Sequence, residues 1–434
     1  MEPFIRHAIV AIGAIGKIKQ EQKLIGAVSK TALDYPFALN QFDKALRGMR
    51  TAIASGNTDI RKALIACILV FCFETLADKP ASALINAQSG LMLLHQWMKA
   101  NMSQGISFFL SREWQQNRIE DEVMNAFAAL DLHVLFFLDT RTTEVHNFMI
   151  EGANRALVGM PTTFSSLTMA RSFWSLIMRR NYHFIKLALV KGQSELSCAP
   201  WEYNEMNAPW EDSANLFPGG NIFSTPKEPV LEMVPDSLQY RDDVKRWSRA
   251  AAPVFRNISA TGTQEEKILC ALLQMNQLMN EIMLESIFFT NETRYDVFLP
   301  EWKRMLFLSQ YLHPYMTGVA AIDTPYHFDL GIIPPLFLLG MRCRDKAIRD
   351  DVIEILSKVQ YREGMWDSMA AVTFVEWVKE IEDLARDENG YVPEHKRAFV
   401  TSAYVDLEGR RAILSATQKT PSGRVFLEKI VGWG

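Results

Sequence analysis

The spacing of the apolar residues constrains this chain most. They recur every three or four positions along most of its length, the period of a helix with one buried face. Between Tyr35 and Ala54, for example, Leu39, Phe42, Leu46 and Met49 share one face. The same reading predicts helices over Pro3–Lys19, Ile60–Ala77, Ala81–Met98, Arg118–Asp139, Met169–Lys191, Leu238–Ala251, Gln264–Phe289, Asn291–His313 and Ala371–Ala385. Ile60–Ala77 is apolar nearly all round, which predicts a helix buried inside a larger bundle. No repeat of fixed period stands out, so a regular solenoid is not expected.

Two stretches break the helical pattern. Residues 199–237 carry six prolines from Pro200 to Pro235, together with Trp201, Trp210 and Gly219-Gly220. Proline cannot continue a helix, so this segment is expected to be irregular. Its tryptophans suit either a loop packed over the surface or a lid over a pocket. Near the end, "AFVTSAYVDLEGRRAILSAT" alternates and is rich in Val, Tyr and Thr, which predicts a β-hairpin turning at Glu408-Gly409. The fold class is therefore all-α: a large irregular helical bundle with a long Pro/Trp-rich loop and a small C-terminal β-hairpin. An N-terminal half (1–198), the irregular segment (199–237) and a C-terminal half (238–434) are expected to form one integrated domain.

Composition excludes several functions. The net charge is −4, and this global charge argues against a surface made for a phosphate backbone. No run of apolar residues is long enough to predict a membrane span, and the apolar N-terminus lacks the marks of a signal peptide. The five cysteines are widely spaced with no Cys-x-x-Cys, which fits reduced thiols and argues against zinc. No two histidines stand at helical i,i+3 or i,i+4 spacing, so a metal site on one helix is not expected. "GAIGK" at Gly13–Lys17 lacks the spacing of a phosphate-binding loop. No catalytic residue is identified, and no cofactor is expected.

The most distinctive stretch is "GIIPPLFLLGMRCRDKAIRDDVIEILSKVQYREGMWDS", Gly331–Ser368. Pro334 and Pro335 suit the first turn of a helix, Asp345 can cap a second and Asp367 or Ser368 a third. Gly364 suits a left-handed end to the second helix. Arg344, Arg349 and Arg362 stand near Asp345, Glu354 and Glu363, which predicts structural ion pairs or a polar cluster facing a ligand. Just upstream, "DTPYHFDLG" places Tyr326, His327 and Asp329 on a loop at a helix start. Tyr326 and His327 offer hydrogen-bonding groups to a ligand, and Trp201, Trp210 and Trp366 offer pocket walls for an apolar one. Packing of the same residues onto a core is the competing reading.

This stretch resembles the C-terminal region of fungal transcription factors of the zinc binuclear cluster (six-cysteine) class. Further pieces are similar to that family in the same order: "RHAIVAIGA" at Arg6–Ala14, "FALNQFDKAL" at Phe37–Leu46, "CILVFCFETLADKPASALINAQSGLMLL" at Cys67–Leu94, and "FAALDLH" at Phe127–His133, where His133 stands in place of the family's Gln. The resemblance runs from Pro3 to about Gly432. It implies an all-α regulatory domain that senses a metabolite or contacts a partner. It also implies an N-terminal six-cysteine zinc cluster that reads DNA, which has no counterpart in these cysteines.

Two functions follow as expectations. In the first, a transcription-factor-like regulatory domain without its own DNA-binding module binds a small hydrophobic metabolite or another regulator protein, and modulates a secondary-metabolite gene programme from the nucleus. In the second, the same scaffold serves in the cytoplasm as a cofactor-free enzyme of secondary metabolism. Cyclisation, dehydration or a pericyclic addition would need mainly shape, since holding reactants in place contributes up to roughly 7–11 kcal/mol. Neither reading calls for direct DNA contact or a membrane.

Overall fold

A computed structural model gives the architecture. It describes residues 2–25, 34–54, 59–102, 121–192, 214–215, 223, 228–317, 326–359 and 361–433. These residues are mostly helical, with a small antiparallel sheet near the C-terminus, as the apolar spacing predicts. The chain divides into two compact units: Met1–Val134 with Val319–Leu330 and Tyr361–Met365, and Leu135–Gly318 with Gly331–Gln360 and Trp366–Gly434.

The first unit is built on α1 (Pro3–Ile25), α2 (Asp34–Ala54), α3 (Ile60–Leu76), α4 (Pro80–Met102) and most of α5 (Asp121–Phe136). The nearly all-apolar helix is α3, and it packs against α1, α2 and α4. Asp59 caps it, its carboxylate accepting from the Lys62 N–H at 2.8 Å. Ala11, Ile15 and Ile18 of α1 meet Ala38 of α2 and Phe73 and Leu76 of α3 in one buried cluster. Phe42 stacks on Phe73 with ring centroids 3.9 Å apart. Phe73, fully buried, contributes about 1.5–3 kcal/mol through burial. One polar device and one close contact fix α4 to α3. Glu74 is buried and accepts from Ser82 Oγ at 2.6 Å and from Asn86 Nδ2 at 2.8 Å. Gly90 lets the helices approach, because a Cβ there would lie 2.9 Å from Cys67 Cβ.

The second unit holds α6 (Thr143–Leu157), α7 (Leu167–Lys191), α8 (Val234–Thr261), α9 (Gln264–Ser286), α10 (Leu299–Thr317), α11 (Ile333–Arg342), α12 (Lys346–Val359) and α13 (Ser368–Asp383). The apolar pattern did not predict α6. Its buried stripe is Val145, Ile150, Ala153 and Leu157, interleaved with exposed charge. α8 runs on past Ala251 to Thr261 with Pro253 inside it. Arg180, buried on α7, pairs with Asp243 of α8 at 2.7 Å, and Trp174 lies against Trp247 at 4.7 Å. This packing stabilises a helix that local propensity would end at the proline.

The predicted hairpin forms and a third strand extends it. β5 (Ala398–Asp406), β6 (Arg411–Thr420) and β7 (Gly423–Gly432) make an antiparallel meander, and β1 (Ala214–Asn215) pairs with β5. Glu408-Gly409 lies in the β5–β6 turn, where the Gly409 N–H donates to Asp406 at 2.8 Å. Short strands β2 (Tyr326–His327), β3 (Arg362–Glu363) and β4 (Trp366–Asp367) complete the elements.

The punctuation of Gly331–Ser368 is largely architectural. Pro334 and Pro335 open α11. Asp345 accepts from the Ile348 N–H at 3.1 Å, and Asp367 accepts from the Met369 and Ala370 N–H groups at 3.0 Å each. Gly364 differs from expectation: α12 stops at Val359, and Gly364 sits in the turn after β3 with φ +56°. The arginines also pair differently. Arg344 bonds Glu292 and Glu382, each at 3.0 Å, and Arg349 bonds Glu382 at 2.9 Å. Arg362 pairs with Asp78, while Glu354 pairs with Lys358 on its own helix. Sequence neighbours off the i,i+3 and i,i+4 spacing do not face each other, so tertiary partners decide these pairings.

Candidate functional site

The Tyr326–Asp329 segment lies in the first unit, at the C-terminal end of α3. Strand β2 pairs in parallel with β3, Tyr326 opposite Arg362 and His327 opposite Glu363. Successive strand residues point to opposite sides, so the Tyr326 and His327 side chains leave the strand in different directions. Their partners bear this out.

Tyr326 packs on the α1–α2–α3 cluster. Its hydroxyl lies 3.2 Å from Thr75 Oγ1 and 3.9 Å from Cys72 Sγ. Burial raises the Tyr326 phenol well above its usual range and pushes the Cys72 thiol up to about 11. Beside them, Arg362 donates to the Thr75 carbonyl at 3.0 Å and pairs with Asp78, which also pairs with Lys19. Asp78 occupies the left-handed region at φ 60°. Burial works against its charge, but Arg362 and Lys19 outweigh it and hold the carboxyl below its ordinary range.

His327 meets a different set. Its ring stands edge-on to Tyr361 at 5.0 Å, and the Tyr361 hydroxyl donates to the buried Glu363 carboxylate at 2.8 Å. Burial lowers the His327 imidazole, with Asp329 opposing the shift. The His327 carbonyl accepts the Gly364 N–H at 2.7 Å.

His133 completes the segment's anchorage. It is fully buried, and its Nε2 lies 2.9 Å from the Phe328 carbonyl, which only accepts, so Nε2 carries the proton. Phe71 and Phe328 flank its ring at 5.6 and 6.2 Å. Burial drops its pKa to about 4, leaving a neutral ring with no hydrogen bond at Nδ1. A Cβ on Gly364 would fall 2.2 Å from this ring, so the turn needs glycine for space as well as for φ. Sequence reasoning placed His133, Thr75 and Asp78 in motifs and Lys19 at the end of a predicted helix, but had no signal that Thr75, Asp78 and Lys19 converge. Their convergence depends on where α1 and α3 end in space.

Trp366 belongs to the second unit. It is buried, and its ring lies among Phe137 at 4.8 Å, Phe337 at 5.3 Å, Phe223 at 5.7 Å and Phe136 at 5.8 Å. Its place is in a packed aromatic core. Phe223 brings part of the Pro/Trp-rich segment into that core. Trp201, Trp210 and most of the expected lid lie outside the described residues.

The second unit also gathers buried charge. Arg342, Arg344 and Arg349 converge on Glu292 and Glu382 over 2.6–3.0 Å, and Glu382 also accepts the Ala398 N–H at 2.9 Å. Elsewhere His146 and His183 meet Nδ1 to Nδ1 at 2.8 Å. Burial lowers His146 to about 3, despite Asp139 nearby. Among the described residues, no group of three or more His, Cys, Asp or Glu is placed to hold a metal ion. Among them, too, no helix is long and apolar enough to cross a membrane.

With this geometry in view, comparison with known proteins adds one partial likeness. Over 62 residues the chain is 32% identical to the aspercryptin biosynthesis cluster-specific transcription regulator of Emericella nidulans. The match covers 13% of this chain and 10% of that regulator, so the chain spans about a tenth of the relative's length. No family profile matches the chain, and no solved structure matches it.

Proposed function

We propose that this chain is a regulatory domain of the kind carried by fungal transcription regulators of biosynthetic gene clusters, binding a small hydrophobic metabolite or another regulator protein. The partial likeness to the aspercryptin cluster regulator supports the regulatory reading. One structural observation carries it further. The buried groups a chemist would first suspect are taken up by the packing around them and shifted away from neutral titration. Cys72 stands at about 11, the Tyr326 phenol well above its range, and His133 at about 4. General acid–base work at neutral pH favours the opposite tuning, with pKa values near the working pH. Groups of this kind give shape and stability to a domain that binds, and binding is the work of a regulator.

The test is deletion of the gene in its host, with neighbouring transcripts and the metabolite profile measured together. A regulator predicts that neighbouring transcripts fall and the pathway goes silent as a whole. Unchanged transcripts with one accumulating intermediate would replace this reading with that of a cofactor-free enzyme on the same scaffold.

A further inference from the structure

The C-terminal sheet treats its two edges differently. On one side β5 is covered by β1, through Ala214↔Val405 and Asn215↔Tyr404, and its ladder to β6 shifts register between Val400 and Ser402. On the other side β7 is the last strand among the described residues. It pairs with β6 in unbroken register from Thr420↔Gly423 to Arg411↔Gly432. In such a strand, alternate residues turn their N–H and C=O groups away from the neighbour, and no strand among the described residues pairs with that row. Soluble proteins normally blunt an edge with charged side chains, above all lysine, with proline, a bulge or a very short strand. β7 has ten residues, no proline and no register shift, and of its charged side chains Lys429 is drawn to Glu380. It also presents Phe426 at 78% exposure and Ile430 at 68%, both on one face.

We propose that β7 is a strand-addition edge and that its occupant is β7 of a second copy of this chain, paired antiparallel across a two-fold axis. A row of outward backbone donors and acceptors is satisfied by another strand. β7 itself is the described segment with the matching length, open edge and apolar side chains. Two-fold symmetry then restricts the register. Outward-facing residues alternate, and outward meets outward, so the axis passes through a residue position. An axis at Glu428 would set two carboxylates directly opposite each other, which is destabilising. An axis at Leu427 would set Phe426 against Glu428. An axis at Phe426 pairs the two phenylalanines and sets Val425 against Leu427, the kind of cross-strand pairs that stabilise a sheet.

Sedimentation velocity of the full chain over a concentration series tests this. The expected result is a concentration-dependent dimer whose dissociation constant rises at least roughly tenfold in Phe426→Lys, about 1.4 kcal/mol. The side chain is exposed in the single copy, so at concentrations where both chains are monomeric the thermal midpoint of the variant should match wild type. Hydrogen exchange on the wild-type chain gives a second readout: alternate β7 amides should gain protection as concentration rises. A wild-type chain that stays monomeric throughout overturns the proposal. So does a dimer that Phe426→Lys leaves intact while β7 exchange ignores concentration.

Discussion

At the scale of single residues, the first unit is most sensitive at the contact of Gly364 with His133. A left-handed φ costs a non-glycine residue roughly 1–2 kcal/mol, and the His133 ring leaves no space for a methyl group. Gly364→Ala should therefore destabilise the protein by about 2 kcal/mol or more, read as a lower urea midpoint. His133 and His146 make a second prediction, about pH. Both have folded-state pKa values near 4 and 3, below the ordinary 6.5. The unfolded chain therefore binds protons first as pH falls, and the folded state loses stability from about pH 6.5 downward. Every tenfold difference in proton affinity between the unfolded and folded states is worth about 1.4 kcal/mol, so the two histidines together make the fold acid-labile well above the carboxylate range. Urea midpoints measured from pH 7 to pH 4 should fall steadily. His133→Gln, whose amide N–H can still donate to the Phe328 carbonyl, should flatten that fall.

At the scale of elements, most of the fold was legible in the sequence, because helix period and cap chemistry are local. Asp59, Asp345 and Asp367 cap the helices their positions suggest. α6 escaped because exposed charges interrupt its apolar stripe, and the full length of α8 escaped because Pro253 is a local stop signal that packing overrides. β7 escaped because its sequence, with Val425-Phe426-Leu427 followed by Glu428-Lys429 and then Ile430-Val431, lacks the alternation that marks a strand. The arginines of the Gly331–Ser368 stretch were visible, but their partners were not. Glu292 and Glu382 come from segments far away in sequence. Glu382 is fully buried and joins Arg344 and Arg349 to the Ala398 backbone. Removing one member of such a set leaves buried charge uncompensated. Glu382→Ala should cost about 3–5 kcal/mol in a chemical denaturation series. A larger hydrophobic replacement together with Arg349→Met should recover part of that loss.

At the scale of the whole molecule, function was far less legible than fold. Tyr326 and His327 looked like part of one site because they are adjacent and carry polar groups, and Trp366 looked like a pocket wall because it is a large aromatic. The structure gives each its own surroundings: Tyr326 joins α3, His327 faces Tyr361, and Trp366 lies in an aromatic core of the other unit. Residue type and sequence proximity do not encode that divergence; strand alternation and packing do. The central claim is that these residues build a regulatory domain and carry out no chemistry. The most direct measurement is to return Tyr326→Phe, combined with His327→Gln, to a strain deleted for the gene, and to follow neighbouring transcripts and metabolites together. If the residues are architectural, both should return to wild-type levels at matched protein abundance. Normal transcripts with one persistently accumulating intermediate would contradict the claim and assign the chemistry to Tyr326 and His327.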